Sequence, residues 1–373
     1  MLDMISPKPR ARDLGIPFEG TPGPLNAITD VEGVTVGHVT LVSGEGQLNV
    51  GQGPVRTGLT AILPCGNAGC DRVFAGFFSL NGNGEMTGMH WVEESGLLEG
   101  PVMLTNTHSV GIVRDAVIEW QTSKAKISQP WSLPVVAETF DGYLNDINGF
   151  HIRKKHVFDA IENARSGPVA EGNTGGGTGM ICHEFKGGIG TASRRLDDKT
   201  DGFTVGVLVQ ANHGLRHQLR IAGVPVGIEI TENLVKSRDE GSIIVVVATN
   251  APLMPHQLKR LARRACLGLG RTGSIGSNFS GDIFLAFSTA NATAVMAKEI
   301  VRLTMVPNEQ LDPIFDATVS AVEEAIVNAL VAAESMIGRD DHKVIAIPHD
   351  RRREVMKIYG RRGNDEGRMT KDE

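Results

Sequence analysis

The chain has 373 residues, 21% of them charged, with a net charge of −6. That length supports one large domain or two ordinary ones. The mild acidity excludes a general nucleic-acid binder, which carries a basic footprint, and no run approaches the ~18 apolar residues of a membrane span.

Residues 1–24 are rich in proline, arginine and glycine and read as an extended arm. The first ten residues lack the apolar stretch of a secretory signal, so the cytoplasm is the default location. Residues 31–40 alternate like a strand, and 57–64 and 74–80 read as two more. The loop Asn81-Gly82-Asn83-Gly84-Glu85 follows. Its asparagines suit left-handed turns and offer amides to a site. Residues 102–107 read as a buried strand, 110–121 as a helix, 133–143 as a strand running into a loop, and 154–165 as a helix. The glycine-dense loop 171–180 lacks the lysine of a phosphate-binding P-loop and the spacing of a dinucleotide fingerprint. Residues 203–214 form a strand ending in Asn212-His213-Gly214. The polar stretch 215–240 shows little periodicity and reads as a mobile connector. Residues 255–269 carry leucine and alanine at helical spacing. Ser277 to Asp282 leads into the apolar strand 283–288. A long alanine-rich helix covers 311–336, stopped by Gly338, and the charged tail 349–373 reads as peripheral. Strands in groups with a few long helices make this an α/β fold in layers, with no clean linker and no repeat.

Four cysteines (Cys65, Cys70, Cys182 and Cys266) do not make a disulfide scaffold in a chain this long. Cys65 and Cys70 flank Gly66-Asn67-Ala68-Gly69, but zinc wants four ligands with tighter pairing, so no metal is expected.

The stretch from Asp239 to Asn250 carries the functional reading. A glycine meets Ser242, and a β-branched run begins at once, as in a strand buried on both faces. If the Gly241–Ser242 bond were cut, Ser242 would present a hydroxyl and a free α-amine, whose pKa of roughly 7.7–8 lets it act as a base. Taken alone, the stretch is also a plain strand whose first residue is polar. There is no G-x-S-x-G elbow to supply a serine triad of the usual kind.

Further motifs sharpen this. Gly241 to Thr249, Ser277-Asn278-Phe279-Ser280-Gly281-Asp282, Asn81 to Met86, Glu138-Thr139, Asn145 to Phe150 and Gly172 to Gly177 together resemble the DmpA family, the L-aminopeptidase/D-esterases and β-peptidyl aminopeptidases. The resemblance runs from about residue 14 to about 348. It implies an αββα four-layer sandwich similar to N-terminal-nucleophile hydrolases, with different strand connectivity. It implies self-cleavage into an α chain, 1–241, and a β chain, 242–373, within a single domain, and a tetramer of αβ pairs. Substrates would be short peptides, amides or esters with a free amine; no metal or organic cofactor is implied. Ser242 would be the nucleophile, Ser280 and Asp282 would orient it, Asn212 would donate to the oxyanion, and Glu138 would pair with the substrate ammonium.

One position departs from the family pattern. Phe140 stands where a relative has a tyrosine, and it cannot donate a hydrogen bond. The oxyanion would then rely on Asn212 and a backbone N–H, or on Tyr143 or a water. Two other readings remain: an acyltransferase of the ornithine-acetyltransferase type, which usually uses a threonine nucleophile, and an inactive binding homologue.

Overall fold

The computed structural model describes residues 8–66, 72–124, 129–197, 201–235 and 241–361. Along the chain come β1 (Thr35–Ser43), β2 (Val55–Leu63), β3 (Arg72–Ser79), α1 (Met89–Ser95), β4 (Leu97–Glu99), β5 (Val102–Asn106), α2 (Val110–Ser123), β6 (Val135–Thr139) and α3 (Lys154–Glu162). The short hairpin β7 (Ile181–Cys182) and β8 (Phe185–Lys186) precedes β9 (Gly188–Arg195) and β10 (Thr204–Asn212). Then follow α4 (Val226–Glu229), β11 (Ser242–Thr249), α5 (Pro255–Arg271), β12 (Ile283–Ser288), α6 (Ala292–Val295), α7 (Asp312–Val331) and, after a small hairpin, α8 (His349–Ile358).

Two sheets stack face to face. One has the order β1-β2-β5-β6 and the other β4-β3-β12-β11-β10-β9. The side chains of β11 show why both faces of this strand had to be apolar. Ile244, Val246 and Ala248 join Ile62, Leu104 and Leu285 in the core between the sheets. Ile243, Val245 and Val247 point the other way and pack with Leu258, Leu261, Ala325 and Ile326 of α5 and α7. On the far side of the first sheet, Leu59, Ala61 and Val136 pack with Val113 and Val117 of α2 and Ala160 and Ile161 of α3. The result is helix, sheet, sheet, helix, as expected. Each fully buried valine, leucine or isoleucine in these layers contributes roughly 1.5–3 kcal/mol.

Three peripheral segments are more structured than their sequence advertises. The arm is tied down: Arg10 pairs with Glu171 at 2.8 Å, and Arg12 and Arg194 both reach the buried Glu324, at 2.9 and 2.7 Å. The connector is largely packed: Leu219, Ile221, Val226 and Ile230 are fully buried. Arg216, lying 3.4 Å over the Phe185 ring, donates to the carbonyls of His183, Glu184, Ile230 and Glu232. A mobile connector is therefore wrong for 215–231; four spaced apolar residues and one arginine satisfying loop carbonyls suffice to order it. Residues 236–240 lie outside the described residues. The tail contains α8, held by buried Val355 and Met356. Cysteine use differs too. Cys65 is disulfide-bonded, whereas Cys182 and Cys266 are thiols outside any disulfide; Cys70, the other half of the pair weighed as metal ligands, lies outside the described residues. Among the described residues no helix is long and apolar enough to cross a membrane.

Candidate active site

Ser242 opens β11 and is only 5% exposed. Antiparallel pairing of β10 with β11 puts Asn212, the last residue of β10, opposite Ser242. Parallel pairing of β11 with β12 places Ile244 opposite Ile283, so the turn before β12 lies beside the start of β11. Three segments far apart in sequence thus converge at one end of the central strand.

The Ser280-Gly281-Asp282 turn contacts Ser242 through its backbone and the neighbouring Ile243 N–H through a side chain. The Gly281 N–H donates to Ser242 Oγ at 2.9 Å. Asp282 Oδ1 accepts the N–H of Ile243 at 3.1 Å and the Ser280 hydroxyl at 2.5 Å. Ser280 and Asp282 are buried, so these bonds are shielded from competing water.

The asparagine loop holds that turn. Asn81 Oδ1 accepts the Asp282 N–H at 2.6 Å, and Asn81 Nδ2 donates to Asp282 Oδ2 at 3.1 Å. Asn83 Nδ2 donates to the Phe279 carbonyl at 2.9 Å. Between them the backbones nearly touch: a Cβ on Gly84 would lie 2.9 Å from Gly281 Cα and 3.4 Å from Glu138 Oε1. Glycine is required on both sides of that contact. It also brings Glu138, at the end of β6, up to the same turn.

Both oxygens of Glu138 are used. Oε1 accepts the Glu85 N–H at 2.9 Å, and Oε2 accepts the Thr107 hydroxyl. Burial pushes its carboxyl above the usual glutamate range, against the lowering by those two donors. Asp141, two residues past β6, is fully buried and pushed up to about 6 for the same reason, with Thr57 and Asn145 donating to it.

Asn212 is fixed at both ends of its amide. Oδ1 accepts the Ile181 N–H at 2.7 Å, and Nδ2 donates to the Phe140 carbonyl at 2.9 Å. An amide nitrogen carries two hydrogens, so the second is available for another acceptor. Gly241 lies hard against this residue: a Cβ there would fall 1.6 Å from the Asn212 carbonyl oxygen.

All the residues singled out from sequence are thereby placed. Ser242, Gly241, Asn212, Ser280 and Asp282 meet, and Glu138 joins them through Gly84. Phe140 takes part through its carbonyl; its ring, 42% exposed, folds over Gly142. Tyr143, the candidate substitute donor, stacks on His342 at 4.4 Å instead. Sequence reasoning missed the Gly281 N–H, the two-bond clamp of Asn81 on Asp282, and Thr107. Only the first two had a signal, a Gly and an Asn inside motifs already marked.

The profile of peptidase family S58 matches residues 26–344. The chain belongs to peptidase family S58. It is 54% identical over 370 residues to the β-peptidyl aminopeptidase BapA of Sphingosinicella microcystinivorans, covering 95% of this chain and 93% of that one. The corresponding BapA of Sphingosinicella xenopeptidilytica is 51% identical, covering 94% and 91%. Among solved structures, the L-aminopeptidase D-Ala-esterase/amidase of Ochrobactrum anthropi, described as a variant of the Ntn-hydrolase fold, superposes with a TM-score of 0.89 at 52% identity, covering 95% and 99%. A Burkholderia β-aminopeptidase superposes with a TM-score of 0.86 at 48% identity, covering 94% and 99%. Like its S58 relatives, the chain is a hydrolase of the aminopeptidase type with an Ntn-hydrolase-like fold.

Proposed function

We propose that this S58 chain cuts itself between Gly241 and Ser242 and then removes N-terminal residues from short peptides, amides and esters through an acyl-enzyme on Ser242. The observation that carries this reading is Ser242 Oγ held by the Gly281 N–H at 2.9 Å, with Asn212 directly opposite across the ladder.

In maturation, Ser242 Oγ attacks the Gly241 carbonyl carbon. The peptide C–N bond breaks, the Ser242 nitrogen takes a proton, and an ester links Gly241 to Oγ. Water hydrolyses that ester, leaving a carboxylate on Gly241 and a free amine on Ser242. A Cβ at position 241 would fall 1.6 Å from the Asn212 carbonyl oxygen, so only glycine fits before the cut.

In turnover, the free amine takes the Oγ proton as Oγ attacks the substrate carbonyl, in the manner of other enzymes that pair a hydroxyl with an N-terminal amine. The second Asn212 Nδ2–H stabilises the oxyanion. The amine passes its proton to the leaving group, and water then releases the acyl part. Asp282 and Ser280 orient the amine; the Asp282 contact to the next N–H, that of Ile243, supports this. Glu138 pairs with the substrate ammonium. The raised carboxyl fits that task, because an arriving cation favours its ionised form.

The β-peptidyl and L-/D-specific names of the relatives make β-amino, L- and D-amino acyl amides the first substrates to compare. Family membership favours hydrolysis over acyl transfer to an amine acceptor. An exposed apolar run, Ile300, Val301, Leu303 and Met305, supports association of αβ pairs into a larger oligomer, a tetramer by resemblance.

Intact mass under denaturing conditions tests the reading. Two chains are expected, the smaller beginning at Ser242, and one uncut, inactive chain for Ser242→Ala. A single intact chain from active wild-type protein overturns it.

A further inference from the structure

Behind the catalytic end of β10 lies a group of side chains that the reaction does not use. Cys182, His183 and His213 are all buried, and one ligand atom from each lies within 4.8 Å of the others. Cys182 Sγ is 3.9 Å from His213 Nδ1, and the two imidazoles meet edge to face with centroids 5.0 Å apart.

We propose that Cys182, His183 and His213 form a binding site for a soft divalent cation, zinc or its cadmium surrogate. Thiolate and imidazole are the ligands such ions prefer. Zinc lies about 2.3 Å from sulfur and 2.0–2.1 Å from nitrogen, so tetrahedral ligand atoms stand roughly 3.3–3.6 Å apart. The present separations, 3.9 Å between Cys182 Sγ and His213 Nδ1 and within 4.8 Å for the group, must close by side-chain rotation to reach that.

The backbone prepares the group. His183 and Glu184 occupy left-handed conformations at φ 47° and 59° at the tip of the β7–β8 hairpin, which turns His183 back toward β10. The His183 N–H donates to the His213 carbonyl at 2.6 Å. A Cβ on Gly214 would fall 2.4 Å from His183 Nδ1, so the chain passes as close as glycine permits. His183 Nδ1 is 3.1 Å from the Leu215 carbonyl. The carbonyl can only accept, so Nδ1 carries the hydrogen, which makes Nε2 the coordinating atom of the neutral ring. Ring nitrogens that bind metals are commonly oriented this way. Among the described residues no fourth side chain joins the group. The fourth position is left to water, as in open zinc sites. Binding displaces the thiol proton to solvent.

Position gives the site a consequence, which rests on the oxyanion role given to Asn212. His213 follows Asn212, and Cys182 follows Ile181, whose N–H anchors Asn212 Oδ1. An ion drawing Cys182 and His213 together shifts the Ile181 N–H that anchors the amide and the backbone of Asn212 itself, so occupancy inhibits.

The test uses processed protein carrying Cys266→Ser, which removes the other free thiol among the described residues. Cadmium titration should give one equivalent per chain with thiolate-to-metal charge-transfer absorption, lost in Cys182→Ser and weakened at least tenfold in His183→Ala. No such band, or one that survives Cys182→Ser, overturns the site. X-ray absorption of the zinc-loaded protein, with Cys182 and His183 intact, keeps the test open if those variants misfold. One sulfur and two imidazoles are expected, and a sulfur-free ligand set overturns the site. Read separately, kcat should fall at least tenfold with occupancy and recover with chelator. Stoichiometric binding at unchanged kcat supports the site and overturns the coupling through Asn212, while the aminopeptidase reading stands.

Discussion

Asn212 and Glu138 have the most distinct signatures at the level of single residues. Asn212 is held by an N–H donor at one end and a carbonyl acceptor at the other, so its remaining hydrogen is aimed before substrate arrives. Removing one such donor costs about 3 kcal/mol of barrier. Asn212→Ala is expected to lower kcat roughly 100-fold or more with little change in KM, measured by steady-state kinetics after mass spectrometry confirms the cut. Glu138 is different, because its proposed task, pairing with the substrate ammonium, belongs to the ground state. Glu138→Gln should raise KM far more than it lowers kcat. The sign of the pH effect follows from burial. Glu138 releases its proton above the normal glutamate range, so on acidification it loses its charge early. KM should therefore rise as pH falls, beginning while the pH is still above that range, and this limb should vanish in Glu138→Gln. A KM limb that persists in the variant argues against Glu138 as the ammonium partner.

The loop from Asn81 to Glu85 acts as an element rather than as separate residues. It clamps Asp282 with two side-chain bonds, presses Gly84 on Gly281, and gives the Glu85 N–H to Glu138. One short loop thus ties the turn that holds Ser242 to the carboxylate proposed to receive the substrate ammonium. Asn81→Ala removes both bonds to Asp282 and leaves buried Asp282 with an unsatisfied N–H, at a cost of ~1–3 kcal/mol. The expected outcome is slowed self-cleavage and reduced kcat with the fold retained, followed by the time course of chain separation on denaturing gels and by circular dichroism. Unchanged processing rates would show that the Gly84–Gly281 contact and the Asn83 bond hold the turn without Asn81.

At the scale of the whole molecule, the proposed cut falls inside a continuous sheet. β11 and β12 follow Gly241, yet β11 pairs with β10 and β12 pairs with β3, both from the earlier part of the chain. The core between α5, α7 and the larger sheet also mixes residues from both sides of the cut. Cleavage therefore exposes no sheet edge and separates no layer. Native size-exclusion chromatography should show the two fragments co-eluting, and their release should require denaturant concentrations that unfold the protein.

The local readings came through the fold well wherever one residue pattern decided them. The β-branched run of β11, the helical spacing of α5 and the long α7 were legible because burial on two faces or one stripe leaves a period in the chain. Ser242 was legible because Gly-Ser stands at the head of that run. The packing of 215–231 was not, because a buried arginine capping carbonyls leaves no period. Sequence by itself determined which side chains are candidates for the chemistry and the strand that carries Ser242. Only the tertiary structure decided which of them meet, since the antiparallel register of β10 and the parallel register of β12 bring Asn212 and Asp282 to Ser242 across gaps of tens of residues. It also decided that Gly281 contributes a backbone N–H and Phe140 a carbonyl. Every residue but proline carries both groups, so composition cannot single them out; only the path of the chain can.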